Sequence, residues 1–168
     1  MSYRRYIDTY FTTASVFNKV FIFSDQKRSD ILLNAFDWLV KNNRCNFLAF
    51  VIMSNHFHIL WQIHEPYSLG QVRHSLFSYC AKEILKTMTD AERNKFKVDK
   101  KDREYQIFKR NPLSIEILHD NILIQKLNYI HDNPRRAGMV EDNEDFSYSS
   151  YKSYLTNKKE YDFLTFIW

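Results

Sequence analysis

Glycine and proline are scarce in this chain of 168 residues, which holds two Gly and three Pro. So few pliable joints exclude long flexible linkers and predict tight connections between elements. Cysteine is equally rare. Cys45 and Cys80 form neither a CxxC pair nor a disulfide framework, which fits a reducing compartment, and a cytoplasmic location is expected. The longest strongly apolar run, Phe47 to Met53, is too short to cross a bilayer, so no membrane is expected as a partner. Met1 to Tyr10 carries charges and no continuous apolar segment, so no secretion signal is expected.

Aromatic residues, by contrast, are abundant. Fourteen Phe, eleven Tyr and three Trp make up 17% of the chain. Most must build a core, and the excess supplies rings for stacking on unpaired bases. With 45% hydrophobic residues, the length suits one domain over residues 1–168. The net charge of +4 is modest but concentrated. Between Ala81 and Arg110 stand ten Lys or Arg against six acids, an excess equal to the whole net charge. Such a stretch is either a solvated, charge-mixed surface or a phosphate-binding one.

The order of elements follows from periodicity and punctuation. Tyr6 to Thr13 mixes aromatic and β-branched residues and predicts a first strand. Ser24 or Asp25 can cap a helix running to about Asn42, with Ile31, Leu32, Ala35, Leu39 and Val40 at helical spacing. Asn46 to Met53 is nearly all apolar, the pattern of a strand covered on both faces. Ser54-Asn55 supplies a turn and His56 to Ile63 a second strand, together a hairpin. Ser68 can cap an amphipathic helix ending near Met88. Thr89 to Glu104 reads as a loop or short helix. Tyr105 to Lys109 and Ser114 to Leu118 read as short strands. Asp120 then caps a helix expected to stop at about Asn133, ahead of Pro134. The aromatic tail from Phe146 to Trp168 should pack back on the body. The sum is an α+β antiparallel sheet with helices on one face.

His56-Phe57-His58 stands out chemically. In a strand the two imidazoles share a face, their Cα atoms about 6.6 Å apart at a rise of about 3.3 Å per residue. Two imidazoles so placed can converge on one metal ion, although ordinary histidines also fall at this spacing. A two-ligand site needs further ligands. In the last long helix, Tyr129 and Asn133 are one turn apart, only about 40° around the axis, and can deliver a phenol and an amide oxygen to one volume. Leu123, Leu127 and Ile130 lie on an adjoining apolar face. His131, roughly 200° from Tyr129, should face away. His64, His74 and His119 lack partner spacing. Tyr148, Tyr151 and Tyr154 are rival nucleophiles.

Three blocks carry a resemblance. Ser54-Asn55-His56-Phe57-His58-Ile59-Leu60 resembles the MPNHFHLL-type motif of single-tyrosine HUH transposases. Tyr129-Ile130-His131-Asp132-Asn133-Pro134-Arg135-Arg136-Ala137-Gly138 resembles the YIHNNPxRAGxV block of their REP-associated tyrosine transposase branch. Phe146-Ser147-Tyr148-Ser149-Ser150-Tyr151 is similar to that branch's W-SSY-type ending. The blocks keep the family order from the first strand to about Tyr154. Ser54 replaces a usual proline, Phe108 a frequent tryptophan, and Tyr148 another.

The resemblance implies a ferredoxin-like sheet with a central His-x-His strand and the tyrosine helix beside it. It makes Tyr129 the nucleophile, His56 and His58 metal ligands, and Asn133 the third ligand. Imidazoles with an amide oxygen suit Mg²⁺ or Mn²⁺ held transiently, with Mn²⁺ the better match to nitrogen; a structural Zn²⁺ would need further ligands. The implied partner is single-stranded, hairpin-forming DNA, cut and rejoined through a 5′-phosphotyrosine link. Arg135, Arg136, Lys109, Arg110, Lys100 and Lys101 are the candidate DNA contacts. The resemblance admits a monomer or a homodimer, with the tyrosine in the same chain or the partner. Two alternatives share these residues: a DNA-binding regulator that no longer cuts, and a metal-dependent hydrolase using water.

Overall fold

In the computed structural model residues 6–168 are described; residues 1–5, which open the charged N-terminal stretch, lie outside the described residues. The chain order is β1 (Thr9–Ser15), α1 (Gln26–Lys41), β2 (Cys45–Ile52), β3 (His56–Ile63), α2 (Leu69–Lys86), α3 (Asp90–Asn94), β4 (Lys97–Lys100), β5 (Arg103–Tyr105), β6 (Leu113–Glu116), α4 (Asp120–Arg136) and α5 (Tyr151–Thr156). Four strands form an antiparallel sheet in the order β2-β3-β1-β6, the ferredoxin-like arrangement. β4 and β5 pair separately as a small hairpin.

Alternation along β3 divides the core in two. Phe57, Ile59, Trp61 and Ile63 pack with α1 and α2, around Phe36, which stacks on Phe47 and meets Phe57 edge-on. Leu60 on the opposite face packs with Phe11, Ala49 and Val51 under Leu123, Leu127 and Ile130 of α4. The two helices of the ferredoxin-like unit therefore share one face, as expected. α4 does not join them, because its apolar stripe fits the other face of the sheet. That division lifts the tyrosine helix over the side of β3 that carries both histidines.

Local signals explain most boundaries. Asp25 accepts from the Lys27 N–H and caps α1. Ser68 and Gln71 form a reciprocal capping box at α2, and Thr89 with Glu92 forms another at α3. The stretch from Thr89 to Glu104 is thus a one-turn helix followed by most of a β-hairpin rather than a loop. Strand β1 begins later than the sequence predicts, with residues 6–8 forming a turn. The strand expected over Tyr105 to Lys109 is reduced to an isolated bridge from Phe108 to Val16, just past the end of β1, before β6 pairs with β1.

Two expectations for α4 are corrected. Its N-cap is His119, without a side-chain cap bond, and Asp120 is the first helical residue, its carboxylate taken by the Tyr6 hydroxyl. Nor does the helix stop at Asn133; it runs through Pro134 to Arg136. An interior proline disrupts the local hydrogen-bond ladder. Here Asn143, itself buried, accepts the Arg135 N–H (3.1 Å) and donates to Asp132 (3.2 Å), so the backbone group displaced around the proline keeps a partner.

The tail folds back as expected. Thr165 donates to the Phe47 carbonyl, Leu164 bridges Phe47, and Ser149 bridges Val51, so the exposed side of β2 is covered. Both cysteines are free and buried, and burial pushes the Cys45 thiol up to about 12, leaving it unreactive. Among the described residues no helix is long and apolar enough to cross a membrane.

Candidate functional site

His58 pairs with Thr13 across β1 and β3, and the Thr13 hydroxyl lies 2.8 Å from His58 Nδ1. His56 Nδ1 lies 2.8 Å from the Asn55 side-chain oxygen. Asn55 Oδ1 can only accept, so the proton of neutral His56 sits on Nδ1 and its Nε2 carries a lone pair. For His58, Thr13 can play the same part. Its Nε2 is buried and has no hydrogen-bond partner among the described residues, an orphaned acceptor that calls for a ligand. The two rings stand 4.9 Å apart between centroids, inclined by 75°. Burial lowers the His56 pKa; burial, then the neighbouring His56 and Lys126, push His58 down to about 3. Both imidazoles are therefore neutral and able to donate to a cation.

Tyr129 lies on α4 against His58, at the end of the pair nearer Phe11. Its ring centroid is 5.2 Å from that of His58 and 5.9 Å from Phe11, which in turn stacks under His58 at 5.5 Å. At 37% exposure the phenol is neither buried nor free of the surface. Lys126 Nζ sits 5.9 Å from the Tyr129 ring and the Arg136 guanidinium 5.4 Å from it. Lys126 was legible as the residue three positions before Tyr129 on the same helix face, yet composition gave no reason to select it.

Asn133 follows one turn later, half-buried, its amide nitrogen 3.5 Å from the Tyr129 carbonyl. Among the described residues no group of three or more His, Cys, Asp or Glu could hold a metal. A cation here would rest on two imidazole nitrogens and oxygens from an amide, water or substrate. That donor set fits a weakly held, exchangeable divalent ion rather than a closed structural centre.

His131 faces away from the pair, as its position on the helix requires. It is buried, and its Nε2 lies 2.8 Å from Ser150 Oγ. Ser150 in turn accepts from the Phe50 N–H and donates to the Phe50 carbonyl, tying α4 to β2 through the tail. The rival tyrosines lie elsewhere: Tyr148 donates to Asp30, Tyr154 to the Leu48 carbonyl, and Tyr151 packs on His131.

The candidate DNA contacts separate into three places. Arg135 and Arg136 line a cleft of about 810 Å³ beside Tyr129, where Arg135 is held by Asp132 at 2.8 Å. Lys109 lines a second cleft of about 610 Å³ at His56. Lys100 and Lys101 are exposed at the tip of the β4–β5 hairpin, and Arg110 pairs with Asp102 at 3.4 Å. The second cleft also holds Lys19, which sequence reasoning missed. Asn18 and Lys19 both have positive φ (56° and 55°), a conformation costing about 1–3 kcal/mol each outside glycine. No helix, strand or motif pattern marks that turn in the sequence.

On this ferredoxin-like sheet a neutral imidazole pair and a phenol meet beside a buried nitrogen, so the same small volume offers cation-binding groups and a nucleophile. The family model "Transposase IS200 like" matches residues 10–119, and the chain belongs to that family of DNA transposases. Among solved structures, a REP-associated tyrosine transposase bound to a REP hairpin superposes with a TM-score of 0.68 at 16% identity, covering 100% of this chain and 93% of that one. A putative transposase from Deinococcus radiodurans R1 superposes with a TM-score of 0.51 at 11% identity, covering 74% of this chain and 88% of that one. These two likenesses establish the shared fold. No curated protein matches the sequence.

Proposed function

We propose that this transposase cuts and rejoins single-stranded, hairpin-forming DNA through a covalent link to Tyr129. The observation that carries the reading is the phenol ring 5.2 Å from the ring of His58, whose buried Nε2 has no hydrogen-bond partner among the described residues. The fold neighbour bound to a REP hairpin supports hairpin DNA as the substrate and the REP-associated branch as the affiliation. His56, His58 and Asn133 would hold the divalent ion, Mg²⁺ or Mn²⁺. Bound there, the ion would supply charge stabilisation to a non-bridging phosphate oxygen.

The remaining work falls to the chain's own groups. The stacked rings of Phe11 and His58 both meet the Tyr129 ring edge-on, which restrains the phenol and reduces the entropic cost of attack. A neutral phenol is a weak nucleophile, with a pKa near 10. Lys126 and Arg136 beside the ring place positive charge where the phenolate would develop. In the step itself the Tyr129 oxygen bonds to phosphorus and the P–O3′ bond breaks. The phenolic proton passes to solvent and the departing 3′ oxygen takes one up. The phosphodiester is exchanged rather than hydrolysed, so a 3′-OH can reverse the step and rejoin strands. Arg135, Arg136, Lys109, Arg110, Lys100 and Lys101 are proposed contacts to the DNA backbone. The nucleophile in cis makes a monomer sufficient for the chemistry.

The test is incubation of labelled hairpin DNA with single-stranded flanks and Mn²⁺, resolved on a denaturing gel. A protein–DNA adduct that disappears in Tyr129→Phe while DNA binding persists is the expected result. Cut DNA without an adduct, surviving that substitution, would establish the water-using hydrolase instead. Binding without any cutting would establish the silent regulator.

A further inference from the structure

Strand register orders the site along one line. On the face that carries the histidines, β1 and β3 present the pairs Phe11–Leu60, Thr13–His58 and Ser15–His56 in succession. Tyr129 sits over the Phe11 end, in contact with Phe11 and His58. The second cleft opens at the other end, past Ser15 and His56, and is lined there by Asn18, Lys19, Asn55 and Lys109. Nucleophile, imidazole pair and cleft therefore follow one another in that order.

The cleft is built for an anion. Its lining contains two lysines and no acid. Among the described residues neither Lys19 nor Lys109 forms an ion pair, whereas Arg135, Arg110 and Arg103 are each held by a carboxylate. Its wall is fixed from several sides. The Asn55 amide donates to the Lys19 carbonyl, Asn18 donates to the Lys95 carbonyl, and the Lys109 N–H donates to the Ser15 carbonyl. Both ammonium groups are thus carried on anchored backbone beside His56.

In-line displacement at phosphorus puts the attacking and departing oxygens on opposite sides. With Tyr129 at one end of the row, the departing oxygen must leave toward the other. Resting on the phosphotyrosine reading above, we infer that the Lys19–Lys109 cleft holds the DNA segment on the 5′ side of the cut, the one that ends in the freed 3′-OH. Lys19 and Lys109 take its backbone phosphates, with Asn18 and Asn55 within reach of its sugar and base edges. The same cleft retains the 3′-OH end after cutting, which positions it for rejoining. Lys109 changes from a general DNA contact to a contact of stated polarity, and Lys19 gains a role.

The test uses the full chain carrying Tyr129→Phe, so that nothing is cut, in EDTA, so that no cation contributes. Binding of fluorescein-labelled dT12 is followed by anisotropy over a series of salt concentrations. Each single-strand phosphate contact contributes about 0.7 to the salt slope, so Lys19→Ala with Lys109→Ala lowers it by about 1.4. Lys41→Ala, which removes an ammonium already paired with Asp37 on α1, behind the sheet from the histidines, leaves it unchanged. A slope untouched by the lysine pair overturns the inference. A second arm sets the polarity, using a hairpin that the wild-type chain joins to Tyr129. Single methylphosphonates replace the phosphates on either side of the cut. Neutralising a phosphate on the 5′ side weakens binding several-fold, and does so no longer in the lysine double variant. Coupling confined to the 3′ side overturns the assignment. If the wild-type chain joins to no hairpin, the phosphotyrosine reading fails, and the dT12 slope still decides whether the cleft binds a strand.

Discussion

Two clefts, one beside Tyr129 and one at His56, treat charge in opposite ways. The one beside Tyr129 contains Arg135 and Arg136 but also Asp132, Glu141 and Asp142. The one at His56 contains Lys19 and Lys109 with no acid at all. The arginines are the more conspicuous in the sequence, standing together behind a motif. In the folded chain Arg135 is spent on Asp132 and Arg136 lies over an aromatic ring, whereas the two lysines, 90 positions apart in the numbering, face one opening. A basic residue attracts phosphate according to the charge left after its neighbours are counted.

That contrast can be tested from several directions. The largest effect is expected at the histidine pair itself. Thr13→Val keeps the shape of the side chain but removes the partner of His58 Nδ1, and should weaken divalent-ion activation by about 10–100-fold, read from a Mn²⁺ titration of adduct formation. An unchanged titration would mean that the imidazole orientation is set by packing on Phe11 alone. Ser150→Ala strikes the support of the Tyr129 side. It leaves the buried Phe50 N–H and His131 Nε2 without their shared oxygen, and should cost about 1–3 kcal/mol in urea unfolding. The strand-binding slope contributed by the lysine cleft should stay as it is.

Asp132→Asn aims at the comparison itself. Removing the carboxylate frees Arg135, so the dT12 salt slope should rise by up to about 0.7, making the two clefts more alike. No change would show that the Tyr129-side cleft lies off the path of the strand. The smallest effect is expected far from both. Arg28 on α1 donates to Glu92 on α3 and holds its carboxyl near 2, below the usual range. A depressed carboxylate pKa adds stability that is present above the unfolded value, about 4.3, and is lost as pH falls toward 2. Glu92 is partly exposed, so solvent screening keeps the contribution below about 1 kcal/mol. Urea midpoints on the two sides of that window should differ in wild type more than in Glu92→Gln, with strand binding at neutral pH equal in both.

Much of the framework was legible because it depends on neighbours in sequence. Alternation placed His56, His58 and Leu60 on one face of β3, helical spacing grouped Leu123, Leu127 and Ile130, and Ser68 marked the start of α2. The misreadings share a cause. Pro134 was read as a stop because the side chain that rescues the helix, Asn143, lies beyond its end. The hairpin of β4 and β5 was hidden in a run of charges with little apolar alternation. The turn at Asn18 and Lys19 was invisible because its positive φ angles are held by Asn55 and residues near Lys95, far along the chain.

By itself the sequence determined which chemical groups this transposase can present: two imidazoles on a strand, a phenol and an amide on a helix, and a sheet able to carry both. Periodicity sets faces, and faces are local. Only the tertiary structure decided which side of the sheet received α4, that the phenol meets His58 within one chain, and which cations remain unpaired. Those outcomes depend on contacts between residues distant in the chain, where packing and charge neutralisation are settled only once the elements have met.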